Sequence, residues 1–411
     1  MPLIAFEDAL ELTLLGAGRL GVVQVGLDDA AGRVLATPII AHRALPEFDN
    51  SAMDGYALDL DSLRGDGPWE LTVAGESRAG GNVPAFASGT ACRIFTGAAL
   101  PSGTNTVILQ ENVTRDGGRI TIASHTKPRA GQHIRRSGSE LAEGTLALSE
   151  GARITPAMLG VAATLDVTSL LVARRPRVAV LASGDELRAP GTPAWPGSIP
   201  ESNAHVVTAI ARRVGAEVHA LPYASDAQAP LSAALAAALA DCDLLVTIGG
   251  ASVGDHDRVR PSLEALGARF AFHRVSMRPG KPTAFATRGT TRILCLPGNP
   301  ASATLAFHLF GVPLLRSLQG DLAAQPRSIA VPVRGHHTRT LGGHCDGRDD
   351  FLRAALEVND GELNVRLASQ QSSGAVTSFA RADALVRLAG TRERIDDGDR
   401  LPTLLLSDLG G

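Results

Sequence analysis

Residues 177–186, RVAVLASGDE, decide the fold. Arg177 to Ala182 is a short β-branched apolar run, the signature of a strand buried on both faces, and it runs straight into a glycine turn. The same pattern returns along the chain. EVHALPYA (217–224), CDLLVTIGG (242–250) and RILCLPG (292–298) read as further strands, and FHRVSM (272–277) as another. Helical spacing fills the gaps at 203–214, 227–240, 259–266 and 300–318. Ser202 or Asn203 is placed to start the first of these helices and Gly215 to end it. Strand–helix alternation over about 150 residues argues a doubly wound parallel sheet, whose ligands sit outside the carboxyl ends of the strands.

Outward from this domain the texture changes. Residues 6–20 have helical apolar spacing, and 21–45 read as short strands and turns. A Gly-, Ser- and Asn-rich stretch from 46 to 139 carries the strand-like pieces WELTVAG, ACRIFTG, TNTVILQENV and RITIAS. A helix is expected at about 156–165, with Pro156 in its first turn. From 327 the chain again looks like strands. The expected fold class is α/β plus β, in a multidomain, elongated subunit. Residues 1–45 and 140–173 form a discontinuous domain interrupted by a β-rich module at 46–139. Residues 174–326 are the α/β domain and 327–411 a C-terminal β domain.

Composition narrows the function. The 411 residues carry a net charge of −3, with 44% hydrophobic and 20% charged residues. That is an ordinary globular balance with no general pull toward nucleic acid or an anionic membrane. The four cysteines form no CxxC pair, which argues against a disulfide scaffold and a thiolate zinc site. The first residues carry acid where a secretory signal needs base, and no apolar run approaches a membrane span, so a cytoplasmic protein is expected. Of 39 basic residues only Lys127 and Lys281 are lysine. A lysine kept in such a background raises the question of what a compact ammonium does there that a planar guanidinium cannot.

The strand ends carry the chemistry. They present Ser183, Gly184, Asp185 and Glu186; Asp226; Gly249, Gly250, Ser252, Gly254, Asp255 and Asp257; Arg278, Gly280 and Lys281; and Pro297, Gly298, Asn299, Pro300 and Ser302. Gathered on one rim, the glycines let backbone N–H groups approach an oxyanion. Arg278 and Lys281 neutralise it. Glu186, Asp226, Asp255 and Asp257 would then be redundant or repel the anion unless they hold a hard cation, and Mg²⁺ suits one or two carboxylates plus phosphate oxygens. The rim reads as metal-assisted chemistry on a phosphorylated substrate. It is neither a P-loop, because Pro282 follows Lys281, nor a dinucleotide fingerprint. A cluster of His336, His337, His344, Cys345 and Asp346 fits no standard metal spacing and reads as a polar turn. His256 reads as an exposed or supporting imidazole.

NSAMDGYA (50–57), IFTGA (94–98), SGDEL (183–187), GGASVGD (249–255), RPGKP (278–282) and LPGNPAS (296–302) occur in that order. Together with GRVLA (32–36) and QSSGAVTSFARADAL (371–385), they resemble the molybdopterin molybdenumtransferase family, the MoeA-like proteins that include the gephyrin E domain and its plant counterpart. The likeness covers essentially the whole chain. It implies insertion of molybdenum from molybdate into adenylylated molybdopterin with release of AMP and Mg²⁺ assistance. It also implies an elongated homodimer of four-domain subunits with composite active sites, and transient contact with other cofactor-biosynthesis proteins. By that resemblance Asp54 and Thr96 complete the partner subunit's site. Glu186, Asp226 and Asp257 hold Mg²⁺ and position the pyrophosphate, with Asp255 a weaker candidate. Arg278, Lys281, Ser302, Arg353 and Ser373 match positions linked to molybdate or phosphate. Two departures stand outside the rim. Gly138-Ser139-Glu140 replaces a Gly-Glu-Asp, and Asp166 stands where a glycine is usual, which implies a different turn. A molybdopterin adenylyltransferase uses the same α/β fold but needs only about 160–190 residues, well short of this multidomain length. A non-catalytic scaffold or a catalytically dead paralogue would share the motifs, although every acidic position the reaction needs is filled.

Overall fold

The computed structural model describes residues 3–224, 227–250, 258–339, 347–359 and 361–409. Contacts divide the chain into two compact units. One comprises residues 1–37, 151–155 and 169–411, the other 38–150 and 156–168.

The larger unit is built on a six-stranded sheet. Its strands are β1 (Arg177–Ala182), β2 (Glu217–Ala220), β3 (Leu244–Ile248), β4 (Arg269–Phe272), β5 (Ala284–Arg288) and β6 (Thr291–Leu296), in the order β2-β1-β3-β6-β5-β4. Side chains alternate across it, as a pleated strand requires. Val178, Val180, Leu244, Val246 and Leu294 join one core, while Ala179, Leu181, Leu245 and Ile293 join the other. Helix α1 (Asn203–Arg213) and the closing helix cover the first face. Helices α2 (Gln228–Ala238) and α3 (Val259–Ala265) cover the second.

Four differences from the sequence reading have physical causes. The helix begun at Phe6 stops at Leu14 rather than running to 20, because Gly16 adopts φ +64° and Arg292 donates to the carbonyls of Leu15 and Gly16. Strand β2 stops at Ala220, just before Pro222, which has no N–H for the ladder. The closing helix is α-helical at Pro300–Ala306 (α4) and Val312–Ser317 (α5), with a π-helical turn at Phe307–Gly311 between them. Pro313 cannot donate to the Leu309 carbonyl, and a Cβ on Gly311 would lie 2.4 Å from the Phe307 ring. Finally, the sheet is mixed. Strands β1, β2, β3 and β6 are parallel, but β5 runs antiparallel to β6 and β4 antiparallel to β5. The expected strand 272–277 is two pieces, and the second, Met277–Arg278, leaves this sheet to pair with Asp349–Asp350.

That pairing leads into a closed barrel formed by β7 (Ser328–Arg334), β8 (Asp349–Asn359), β9 (Glu362–Leu367), β10 (Ala384–Leu388) and β11 (Arg400–Leu405). The order β8-β9-β7-β11-β10 closes because β8 also pairs with β10. Leu352, Ala354, Val365 and Val386 fill the barrel. Phe351 points the other way and meets Phe6 edge-on at 5.1 Å, within the first α/β core.

The smaller unit holds a six-stranded sheet in which Gly55–Leu58 lies between Thr106–Leu109 and Thr90–Ile94. Tyr56 and Leu58 pack on one face, Ala57 and Ile94 on the other. Asp166 takes φ +63°, the left-handed conformation a glycine adopts freely, and accepts a hydrogen bond from Arg43 at 3.0 Å. The replacement therefore keeps a left-handed turn. No helix among the described residues is long and apolar enough to cross a membrane.

Candidate functional site

The parallel strands of the larger unit deliver their turns to one edge. The Ser183 N–H donates to the Ile248 carbonyl, and the Gly249 N–H to the Leu296 carbonyl at 3.1 Å. A Cβ on Gly249 (φ +87°) would stand 2.5 Å from the Ser183 carbonyl oxygen, and one on Gly298 3.7 Å from Gly249 Cα. The three turns therefore meet as backbone on backbone, which only glycine allows at Gly249. Asn203 donates to the Gly298 carbonyl at 2.8 Å and fixes the start of α1 to this edge. Pro297 is buried while Gly298 and Asn299 are exposed. Asp185 and Glu186 are exposed, and the Glu186 carboxylate folds back over Gly184. The Ser183 hydroxyl is buried without a hydrogen-bond partner among the described residues. Asp226, Ser252, Gly254, Asp255, His256 and Asp257 lie outside the described residues.

Because β5 is antiparallel, its start lies at the same edge as the end of β6, with Ala284 opposite Cys295. The loop 278–282 therefore reaches the rim by a route other than a parallel strand end. It lines a cleft of about 710 Å³ together with Asn299, Ser302, Arg353 and Ser373. Gly280 (φ +107°) makes the turn, and a Cβ there would strike Met277 Cε at 2.5 Å. Lys281 is exposed, with its carbonyl accepting from the Val275 N–H at 2.9 Å. The Ala301 N–H, beside Pro300 at the start of α4, donates to the Ser373 carbonyl at 3.0 Å, so the barrel's 369–373 segment closes the cleft.

Arg353 is fully buried on β8. Its Nε donates to Ser378 Oγ at 3.1 Å and its Nη2 to the Ser372 carbonyl at 3.0 Å, while Nη1 has no hydrogen-bond partner among the described residues. Burial pushes its pKa down to about 10. A cation held in this way, with a donor left over, is suited to an anion arriving from the cleft. Gln371 clamps it by exchanging hydrogen bonds with the Arg353 N–H and carbonyl at 3.0 and 2.9 Å. Sequence reasoning missed Arg339, Arg348 and Asp350 and read His337 as part of a polar turn; all four line the cleft. The only signal was the polar run 336–350, which has no periodicity. His336 and His337 are described; His344, Cys345 and Asp346 lie outside the described residues. Burial holds the His337 imidazole below its ordinary pKa.

Among the described residues the strand ends offer the exposed carboxylates of Asp185 and Glu186, oxygen donors of the kind a hard divalent cation prefers. Glu186 is the one member of the expected Mg²⁺ set among the described residues, and its carboxylate stands beside the glycine turns. Among the described residues no group of three or more His, Cys, Asp or Glu is arranged to hold a metal.

In the smaller unit, Asp54 and Thr96 meet. Gly55 pairs with Ile94, so the residues just beyond the two strands face each other. Asp54 Oδ1 accepts from the Thr96 N–H at 2.8 Å and from its hydroxyl at 2.9 Å. The N–H and then the hydroxyl hold the carboxyl below its ordinary pKa. Arg93 stands nearby, 4.8 Å from the Phe95 ring centroid and 5.0 Å from that of Tyr56.

Three family models tile the chain. Residues 4–165 match the MoeA N-terminal region (domain I and II), 179–317 a probable molybdopterin binding domain, and 345–406 the MoeA C-terminal region (domain IV). The molybdopterin molybdenumtransferase of a Nostoc species is 36% identical, over 89% of this chain and 84% of that protein. Its Haemophilus influenzae namesake is 35% identical over 91% of each. The crystal structure of a molybdopterin biosynthesis MoeA protein from Pyrococcus horikoshii superposes with a TM-score of 0.80 at 28% identity, covering 98% of this chain and 99% of that one. The chain therefore belongs to the molybdopterin molybdenumtransferase family, transferases of molybdenum cofactor biosynthesis.

Proposed function

We propose that this chain transfers molybdenum from molybdate to the dithiolene of adenylylated molybdopterin and releases AMP. The observation that carries this reading is the cleft in which Arg278, Lys281, Ser302, Arg353 and Ser373 converge next to the glycine turns. Molybdate is a tetrahedral dianion, and donors from several loops around a lysine match it. The glycine turns and Glu186 take the phosphate end of the pterin, with Asp226 and Asp257 completing the acidic set that holds Mg²⁺. Held there, Mg²⁺ would supply charge neutralisation at the phosphoanhydride. Water cleaves the P–O–P link, giving AMP and the pterin monophosphate. The two thiols lose their protons to one departing oxo oxygen, which leaves as water as two Mo–S bonds form. Lys281, Arg278 and Arg353 offset the dianion's charge and so ease the approach of the electron-rich sulfur atoms to molybdenum.

The working form in this reading is a cytoplasmic homodimer of four-domain subunits, in which Asp54 and Thr96 of one subunit serve the rim of the other. Purified protein given adenylylated molybdopterin, Mg²⁺ and molybdate should release AMP only when molybdate is present. AMP release at the same rate without molybdate identifies a simple hydrolase instead.

A further inference from the structure

The cleft holds one carboxylate among its described lining residues, Asp350, amid several cations. An acid is out of place in a site for a dianion unless it does something for a cation. Asp350 is 2% exposed. Its Oδ1 lies 3.7 Å from Arg278 Nε and its Oδ2 3.6 Å from Arg339 Nε. Register explains the placement, because Arg278 pairs with Asp350 in the parallel ladder that joins the 278–282 loop to β8. The preceding acid, Asp349, points to the opposite side of the strand, where it accepts from Arg387 at 2.7 Å and the Gly390 N–H at 2.8 Å. Arg339 is itself pinned. It is 8% exposed and donates to the carbonyls of Arg348, Leu388, Ala389 and Arg392 at 2.8–3.0 Å. The barrel backbone thus fixes Arg339, Arg339 faces Asp350, and Asp350 faces Arg278 at the cleft wall.

We infer that Asp350 is a positioning residue for anion binding: held by Arg339, it fixes the Arg278 guanidinium in the pose that meets the oxyanion. An arginine side chain loses substantial rotamer freedom when it is immobilised, and fixing it beforehand removes that loss from the binding step. The inference rests on the molybdate reading of the cleft.

The test is molybdate binding by calorimetry to the full chain and to D350N, R278A and the double variant. Removing a negative charge from an anion site would by itself tighten binding. Positioning predicts the reverse, a loss of about fivefold in D350N that disappears in the R278A background, a coupling of the size contacting residues show. Unchanged or tighter binding in D350N, or the same loss in both backgrounds, overturns it. If Asn at 350 does not fold, Asp350→Glu keeps the charge beside Arg339 but moves it by a methylene. A severalfold loss is then expected, and wild-type affinity overturns the inference. A crystal structure of the ligand-free variant gives an answer independent of molybdate. Arg278 should leave the wild-type pose, and a guanidinium still in place overturns the proposal. A wild-type chain without affinity for molybdate counts against the proposed function alone, and the crystal structure then decides the role of Asp350.

Discussion

At the scale of single residues, charge is rationed by its surroundings. Lys281 stands exposed on the cleft wall, whereas the other lysine, Lys127, sits in an exposed turn of the smaller unit. Lys281→Ala should weaken molybdate binding by about tenfold or more, about 1.4 kcal/mol. Lys127→Ala should leave it within about twofold, since Lys127 is an exposed surface charge that does not line the cleft. Equal effects in calorimetry would remove the argument from lysine scarcity. Asp54 shows the reverse situation, an anion favoured by donors. Its folded pKa lies below its unfolded value, so its contribution to stability is present above the unfolded pKa and is lost as the pH falls through the folded one. Thr96→Val removes the hydroxyl and keeps the N–H, so the Asp54 carboxyl should titrate at a higher pH, part of the way back to the ordinary value. A carbon-detected NMR titration that shows no rise would mean the hydroxyl does not donate.

At the scale of elements, close approach decides what a position accepts. In the smaller unit's sheet a Cβ on Gly55 would fall 2.0 Å from the Ile108 carbonyl oxygen. Both neighbouring strands are fixed by their ladders, so neither can give way cheaply. Gly55→Ala should cost more than about 2 kcal/mol, read as a lower urea midpoint. A midpoint equal to that of the wild type would show that the strands separate easily. Asp54 immediately precedes Gly55, so the same substitution should also disturb the Asp54–Thr96 pair. The mixed sheet teaches a related lesson. By sequence the 278–282 loop reads as a parallel strand end, yet it reaches this edge because β5 runs antiparallel. The end of a parallel strand and the start of an antiparallel one lie at the same edge of a sheet.

At the scale of the whole molecule, the prediction concerns sharing between subunits. Asp54 and Thr96 belong to the unit that contains neither the cleft nor the glycine turns. If they serve the partner's rim, Asp54→Ala and Asp257→Ala subunits, each inactive alone, should complement when mixed. Random pairing makes half the dimers hybrids with one intact site each, so about a quarter of wild-type activity is expected. A dead mixture, with subunit exchange confirmed by mass spectrometry, would show that each site is built within one chain.

The sequence by itself determined the elements whose pattern is local. Buried strands such as Arg177–Ala182 are apolar runs, the helices that cover them carry one apolar face, and glycines mark the turns. The ordered motifs added the family, and with it the cleft residues Arg278, Lys281, Ser302, Arg353 and Ser373. Only the tertiary structure decided that β8 closes a barrel, that Met277–Arg278 abandons the α/β sheet, and that Arg339 and Asp350 stand behind Arg278. Those facts depend on register and on side chains bonding to carbonyls dozens of residues away. Arg339 reaches Arg392 across 53 positions. No local periodicity encodes such a contact, because the partners become neighbours only once the chain between them has folded.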